Sequence, residues 1–182
     1  MNSEVDSPLL SVENLCKSFG KFVANDHVSF DIEKGQIQCL LGENGAGKST
    51  LAKCIYGASK PDSGRIIFKG QEVTFSSPRD AIRQGFGMVH QHFVLSEPMN
   101  AVENIIVGEE STGAILNLEK ETIKIQNLCD QYGVTFDLSL PVSQLSVGQQ
   151  QWIEILKALY VGVDLLLLDE PTAVLTPQEV DR

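Results

Sequence analysis

The sequence lacks the features of general nucleic-acid binders, of membrane-spanning proteins and of proteins built on paired or metal-binding cysteines. Lysine and arginine total 14 against 24 acidic residues, and the net charge of -10 argues against a general nucleic-acid binder. The most apolar stretch, residues 161–168, is interrupted by Asp164 and is far shorter than the ~20 residues of a membrane span. The four cysteines form no CxxC pair and no metal-like cluster, so reduced thiols in a cytosolic protein are expected. Any membrane spans would have to come from other chains.

What the chain does contain is an alternation of strand-like and helix-like segments. Two β-like runs flank a turn at Gly20 and Lys21, and two more flank Lys69 and Gly70. Residues 37–42 are almost continuously apolar, and residues 164–170 contain four consecutive leucines; both patterns predict strands buried on both faces.

Helical patterns occupy the remaining segments. We predict helices over 48–56, after Pro78 and over 149–160, and a mainly helical region over 94–145. Within that region one apolar face has the spacing i, i+3, i+4, i+7. Its members are Ile125, Leu128, Cys129 and Tyr132. Together these segments predict an α/β core with a helical subdomain.

A glycine-rich loop lies between the first apolar run and the first helix. Residues 42–49, GENGAGKS, fit the Walker A pattern GxxxxGK[ST]. Glycines let successive N–H groups point at phosphates, Lys48 can reach the β- and γ-phosphates, and Ser49 can ligate Mg²⁺. The predicted nucleotide contacts are Gly42, Asn44, Gly45, Ala46, Gly47, Lys48, Ser49 and Thr50. The loop therefore predicts binding of a nucleoside triphosphate, without identifying how its energy is used.

Two carboxylates end the second apolar run, as in a Walker B motif. Asp169 is expected to hold Mg²⁺, since a carboxylate at the end of a buried strand is costly unless it is paired or faces an ion. Glu170, the next residue, would polarise the attacking water as a general base.

The segment LSVGQ, residues 145–149, resembles the LSGGQ signature of ABC ATPases, with valine in place of the first glycine. The resemblance implies that Ser146, Gly148 and Gln149 close over ATP held by a partner module, in a head-to-tail dimer. Without the resemblance, Ser146 is interpreted as a helix N-cap, which is compatible with the first interpretation.

The same resemblance assigns two further positions. Gln91 falls where the family's Q-loop glutamine contacts Mg²⁺ and water, and is a third catalytic candidate beside Lys48 and Glu170. Phe19 falls where an aromatic ring stacks on adenine, the alternative being an ordinary packed phenylalanine. His90 and His92 are expected to be structural or coupling residues rather than metal ligands.

Several longer segments are similar to the ATPase subunits of importers for nucleosides and simple sugars. They are SPRDAIRQGFGMVHQHF, AVENIIVG, LSVGQQQ, ILKALY and DEPTAVLTPQE, the last with Thr176 as a mark of the subfamily. The similarity implies ATP and Mg²⁺ as cofactors and a peripheral location on the cytoplasmic face of the cell membrane. It implies transmembrane permease subunits, a second ABC module and, indirectly, a substrate-binding lipoprotein as partners, and no nucleic acid.

The fold that this similarity implies is a P-loop NTPase core of α/β class with an antiparallel β subdomain and a helical ABC-specific subdomain. The predicted divisions are a tail at 1–8, the β subdomain and P-loop core at 9–93, and the helical subdomain at 94–145. Residues 146–182 would return the chain to the core with the signature helix and the Walker B strand.

The family's switch histidine would lie about thirty residues after Walker B, beyond Arg182, and the strand leading to it is likewise not in the sequence. We therefore expect a fragment of a longer module that folds poorly alone and turns over little ATP. The alternatives are a soluble ABC ATPase acting in translation or DNA repair, a non-hydrolysing nucleotide-binding or interaction module, and, more remotely, a P-loop kinase.

Overall fold

A computed structural model describes residues 7–90, 93–108 and 117–171 of the chain. Their contacts divide the chain into two compact units, Met1–Gln84 and Gly85–Arg182, and each unit is described by itself. The subdomain boundaries near residues 93 and 145 stay predictions.

The first unit is built on a four-stranded antiparallel sheet with the strand order β2-β1-β3-β4. The strands are β1 Leu10–Phe19, β2 Phe22–Ile32, β3 Ser63–Phe68 and β4 Gln71–Val73. Gly20 forms the first hairpin turn with a positive φ of 61°, which glycine adopts without steric cost. The sheet confirms the predicted antiparallel β subdomain.

The pairing of β1 with β2 is irregular at three places, and the middle one is a β-bulge. Leu15 pairs with Val28 and Lys17 pairs with Asn25, so a single residue of β1, Cys16, lies opposite two residues of β2. An extra residue of this kind locally disrupts the ladder and redirects side chains. The bulge therefore changes which groups face each other across the hairpin.

Two helices complete the first unit. Helix α1, Lys48–Ile55, follows the glycine-rich loop, and helix α2, Pro78–Arg83, has proline in its first turn. The fixed φ of proline suits that position. One side of α1 is buried in the unit, and its buried residues are Leu51, Ala52, Cys54 and Ile55. Both helices begin where the sequence predicted.

The strand predicted over residues 37–42 is not formed. These residues have no regular secondary structure, and Ile37 and Leu41 are 91% and 93% exposed. An apolar run becomes a buried strand only when a neighbouring strand pairs with its backbone groups. Among the described residues no strand pairs with this segment, and the prediction is wrong for that reason.

The second unit combines a helical cluster with a short parallel sheet. Its elements are strand β5 Phe86–Val89, helices α3 Ala101–Ile106, α4 Leu118–Gln131 and α5 Val147–Val161, and strand β6 Leu165–Leu168, with a 3₁₀ turn at Val142–Gln144. Strand β5 pairs with β6 in parallel, and α5 contacts both α3 and α4. The helical character predicted for this region is confirmed.

The core of the second unit lies between its helices. Residues from α3, α4 and α5 that are completely excluded from solvent include Ile105, Ile125 and Ile153, and Trp152 packs against them. No helix in the described parts of the chain is both long enough and apolar enough to cross a bilayer.

Two burial predictions in this unit fail in part. On β6 only Leu165 is buried, while Leu168 is 48% exposed, because in the described chain the strand has one paired neighbour, β5. On α4 the face predicted from spacing buries Ile125 and Cys129, but Tyr132 is 45% exposed. Tyr132 is the C-cap of the helix, where the helical period no longer directs the side chain.

Candidate nucleotide-binding site

The glycine-rich loop of the first unit is closed by the side chain of its own lysine. The Lys48 Nζ donates hydrogen bonds to the carbonyl oxygens of Gly42 at 2.8 Å and Glu43 at 2.9 Å. The Ala46 N–H donates to the Glu43 carbonyl at 3.1 Å, which forms a tight turn. The ammonium group therefore lies over the loop, where it could reach a bound phosphate in exchange for these carbonyls.

Two glycines of the loop have backbone conformations that other residues rarely adopt. Gly45 and Gly47 have φ values of 85° and 88°, in the left-handed region that disfavours a side chain. A Cβ on Gly45 would meet nothing within 4 Å, whereas a Cβ on Gly47 would lie 2.1 Å from the Ala24 carbonyl oxygen. Gly47 is thus required by both conformation and space.

Asn25 supports the end of the loop, and the motif analysis missed it. Its side chain is buried, and its Nδ2 donates to the Gly47 carbonyl at 3.2 Å. Gly47 is the N-cap of α1, and the same carbonyl accepts the first helical hydrogen bond from Leu51. Asn25 lies on β2, far from the motif in sequence, so the only available signal was an amide within a strand-like run.

The start of α1 has the properties of a phosphate site. The helix has no side-chain cap at its N-terminus, so its first N–H groups and the positive end of its dipole remain suited to an anion. Ser49, in the first turn, supplies a hydroxyl oxygen. An oxygen donor of this kind suits Mg²⁺, so the loop and the start of α1 fit a magnesium nucleotide.

The carboxylates that end β6 are held by the sheet and by an unusual backbone. The Asp169 N–H donates to the Val89 carbonyl at 3.0 Å, continuing the β5–β6 pairing by one residue. Glu170 has a φ of 51°, a left-handed conformation that costs a non-glycine residue about 1–2 kcal/mol. Such strain is concentrated at functional sites, and here it turns the exposed Glu170 away from the strand direction.

The signature segment begins α5 with a capping box. The Ser146 hydroxyl accepts from the Gln149 N–H at 3.3 Å, and the Gln149 side-chain oxygen accepts from the Ser146 N–H at 2.8 Å. The predicted N-cap is therefore confirmed. Ser146 is exposed and Gly148 is buried. Their contact with a nucleotide on a partner module stays a prediction.

Of the remaining predicted positions, the structure describes Phe19 but not Gln91, His92 or Thr176. Phe19 is 55% exposed, and its stacking on adenine stays a prediction. The Lys17 Nζ lies 5.4 Å from the centre of its ring.

The cysteines behave as predicted in one respect and differently in another. All four are free thiols, and burial raises the pKa of Cys54 and of Cys129. Cys16, however, lies beside Asp26 and His27, and their potential ligand atoms are all within 4.8 Å of one another. The spacing of the cysteines along the chain showed no sign of this grouping, because the bulge unites residues from two strands.

Two curated relatives match almost the whole chain. It is 45% identical to a glucose import ATP-binding protein of Haloferax volcanii and 47% identical to a nucleoside import ATP-binding protein of Lactococcus lactis subsp. cremoris. The alignments cover 96% and 94% of this chain, but 37% and 34% of the two relatives. The chain thus spans about a third of the length of the curated relatives it matches.

Solved structures give the same result for the fold. The chain matches a nucleotide-free ATP-binding cassette from an ABC transporter with a TM-score of 0.82 and 28% identity, covering 95% of this chain and 73% of that one. A second cassette matches with a TM-score of 0.85 and 29% identity, covering 96% and 73%. Both support the predicted α/β P-loop NTPase fold. The sequence model of the ABC transporter family matches residues 25–173, and the chain therefore belongs to the ABC transporter family.

Proposed function

We propose that the chain binds and hydrolyses ATP to energise an importer of nucleosides or simple sugars. The observation that carries the proposal is the loop at residues 42–49, in which Lys48 bonds to the loop carbonyls and precedes an uncapped helix N-terminus. The relatives named as import ATP-binding proteins for glucose and nucleosides support the import role.

Each residue of the site has a distinct part in this proposal. The loop N–H groups and Lys48 bind and orient the phosphates, and Asn25 holds the Gly47 end of the loop in place. The Mg²⁺ ion would be held by Ser49, Asp169 and Gln91. When bound, it would neutralise part of the phosphate charge. Glu170 accepts a proton from the attacking water.

The partners and location follow from the import role. Transmembrane permease subunits would receive the ATPase on the cytoplasmic face of the membrane, and a second ABC module would contribute the other half of each site. Ser146, Gly148 and Gln149 would then contact the nucleotide bound by that second module. The substrate-binding lipoprotein would bind to the permease subunits, and its effect on this chain would be indirect.

Binding of a fluorescent ATP analogue to the chain tests the nucleotide site. Lys48→Ala should weaken binding at least about tenfold, since a hydrogen bond to a charged group contributes ~1.5–3 kcal/mol. Lys53→Ala is the matched control, because Lys53 is an exposed lysine in the last turn of the same helix. Equal loss of affinity in the two variants would remove the basis of the proposal.

Hydrolysis and import are tested in the assembled transporter that contains this module. Glu170→Gln should keep ATP binding and lower both phosphate release and substrate uptake by ~10²–10⁴-fold, the usual contribution of a general base. If the variant hydrolyses ATP at the wild-type rate, Glu170 is not the base. If hydrolysis persists but neither nucleosides nor simple sugars are taken up, the import role is wrong and the ATPase assignment stands.

A further inference from the structure

We infer that Cys16, Asp26 and His27 form a site for a zinc ion on the first hairpin of the chain. The three side chains come from the β1–β2 bulge, and a thiol, a carboxylate and an imidazole lie with their ligand atoms within 4.8 Å of one another. This site involves none of the residues assigned to nucleotide binding.

The bulge is what creates the cluster. In a regular hairpin Cys16 would face one residue of β2, but the shift in pairing between Lys17–Asn25 and Leu15–Val28 places two residues opposite it. His27 has a φ of 49°, and its N–H donates to the Cys16 Sγ at 3.2 Å. A left-handed backbone is uncommon for non-glycine residues, although histidine adopts it more readily than most.

The type of donor selects the metal. Sulfur, imidazole nitrogen and carboxylate oxygen together suit Zn²⁺, whereas Mg²⁺ and Ca²⁺ prefer oxygen alone. Around tetrahedral Zn²⁺ the ligand atoms lie about 3.3–3.6 Å apart. The widest present spacing, up to 4.8 Å, therefore has to close by about 1.5 Å at most, and the 2.6 Å between the His27 Nδ1 and the Asp26 Oδ1 has to open slightly. Binding would release the proton of the Cys16 thiol to solvent.

The surroundings leave room for the ion. The side chains of His27 and Asp26 are 72% and 74% exposed, and the His27 Nδ1 lies 2.6 Å from the Asp26 Oδ1. In the proposed site both groups coordinate the ion, so bonds to Zn²⁺ replace this mutual contact. The neighbouring Lys17 directs its ammonium to the Lys60 carbonyl and to Asp62. Lys17 therefore makes these contacts with residues just before β3 and not with the Cys16, Asp26 and His27 cluster.

The experiment titrates tag-free, reduced chain with Zn²⁺ against a chromophoric chelator, without nucleotide, because ATP itself binds the metal. One ion per chain is expected. Co²⁺ in its place should give the visible spectrum of a tetrahedral site and a sulfur-to-cobalt charge-transfer band. Cys16→Ser should abolish that band and weaken Zn²⁺ binding by at least ~10–100-fold, the loss seen even for outer-shell residues. Cys39→Ser, at an exposed cysteine elsewhere, should bind normally.

Two further variants separate metal binding from folding. Asp26→Asn keeps the size of an exposed side chain, and His27→Asn replaces an exposed ring by a residue that tolerates the left-handed backbone. Both should weaken Zn²⁺ binding while leaving the circular dichroism spectrum unchanged. Wild-type affinity in Cys16→Ser, dependence on Cys39 instead, or sub-stoichiometric binding to the wild type would overturn the site. Loss of structure in Cys16→Ser with unchanged affinity in both asparagine variants would also overturn it, leaving Cys16 a purely structural residue.

Discussion

Replacing Ile125 by alanine tests whether the helical core of the second unit stabilises the chain. The side chain is completely buried between α3, α4 and α5, and removing a buried isoleucine to alanine costs ~2–5 kcal/mol. Alanine recovers about 0.4 kcal/mol of helix propensity, so a net loss of about 2–4 kcal/mol is expected. A change of 2 kcal/mol alters the ratio of folded to unfolded chain roughly 30-fold.

The same helix contains a matched control. Ile123 lies two residues earlier and is 62% exposed, so Ile123→Ala should change stability by no more than about 0.5 kcal/mol. Urea denaturation can be followed by fluorescence of Trp152, the single tryptophan, which packs against the core; a cooperative transition would contradict the expectation that the chain folds poorly alone. With an m-value of about 2 kcal/mol/M, Ile125→Ala should lower the midpoint by about 1–2 M. Equal shifts for both variants would refute the packing described here.

Three further predictions concern the loop, the signature helix and a surface carboxylate. Gly47→Ala should weaken ATP binding at least tenfold more than Gly45→Ala in a fluorescence titration, because only at Gly47 would the new Cβ meet a backbone oxygen. Ser146→Ala should cost ~1 kcal/mol in urea denaturation through loss of the cap, and Ser146→Asp should restore it. The Lys124 hydrogen bond lowers the pKa of Glu121 below 4.5. Ionised Glu121 should raise the free energy of unfolding relative to Glu121→Gln above pH 4.5. This stabilisation should disappear as the pH falls through the lowered pKa of Glu121.

Local patterns in the sequence predicted local structure well. The turn at Gly20, the start of α1 after the glycine-rich loop and the N-cap at Ser146 were all found where residue types and spacing placed them. Each depends on interactions within a few residues, namely a permitted φ, a helix terminus or a reciprocal cap. The Walker A segment could be located in the same way, because its residues form one continuous segment, whereas their contacts with a nucleotide stay a prediction.

Most of the failures depend on partners distant in sequence. The apolar run at 37–42 has strand composition, but a strand also needs a paired neighbour, and none of the described residues pairs with it. Leu168 is half exposed for a similar reason. The grouping of Cys16 with His27 required knowledge of the pairing register, since one residue of slip separates a regular ladder from a bulge. Periodicity within one segment contains no information on register between two segments.

Strand β2 contributes residues to both proposed sites of the first unit, the nucleotide site and the zinc site. Asn25 is buried and directed at the carbonyl of Gly47, whereas the next two residues are exposed beside Cys16. In a regular strand consecutive side chains simply alternate between faces. The bulge breaks that alternation, which allows Asp26 and His27 to share one surface while the residue before them supports the loop. A substitution that removed the bulge would therefore have two measurable effects, on Zn²⁺ binding and on ATP binding. A substitution of Cys16, Asp26 or His27 that kept the bulge should affect Zn²⁺ alone.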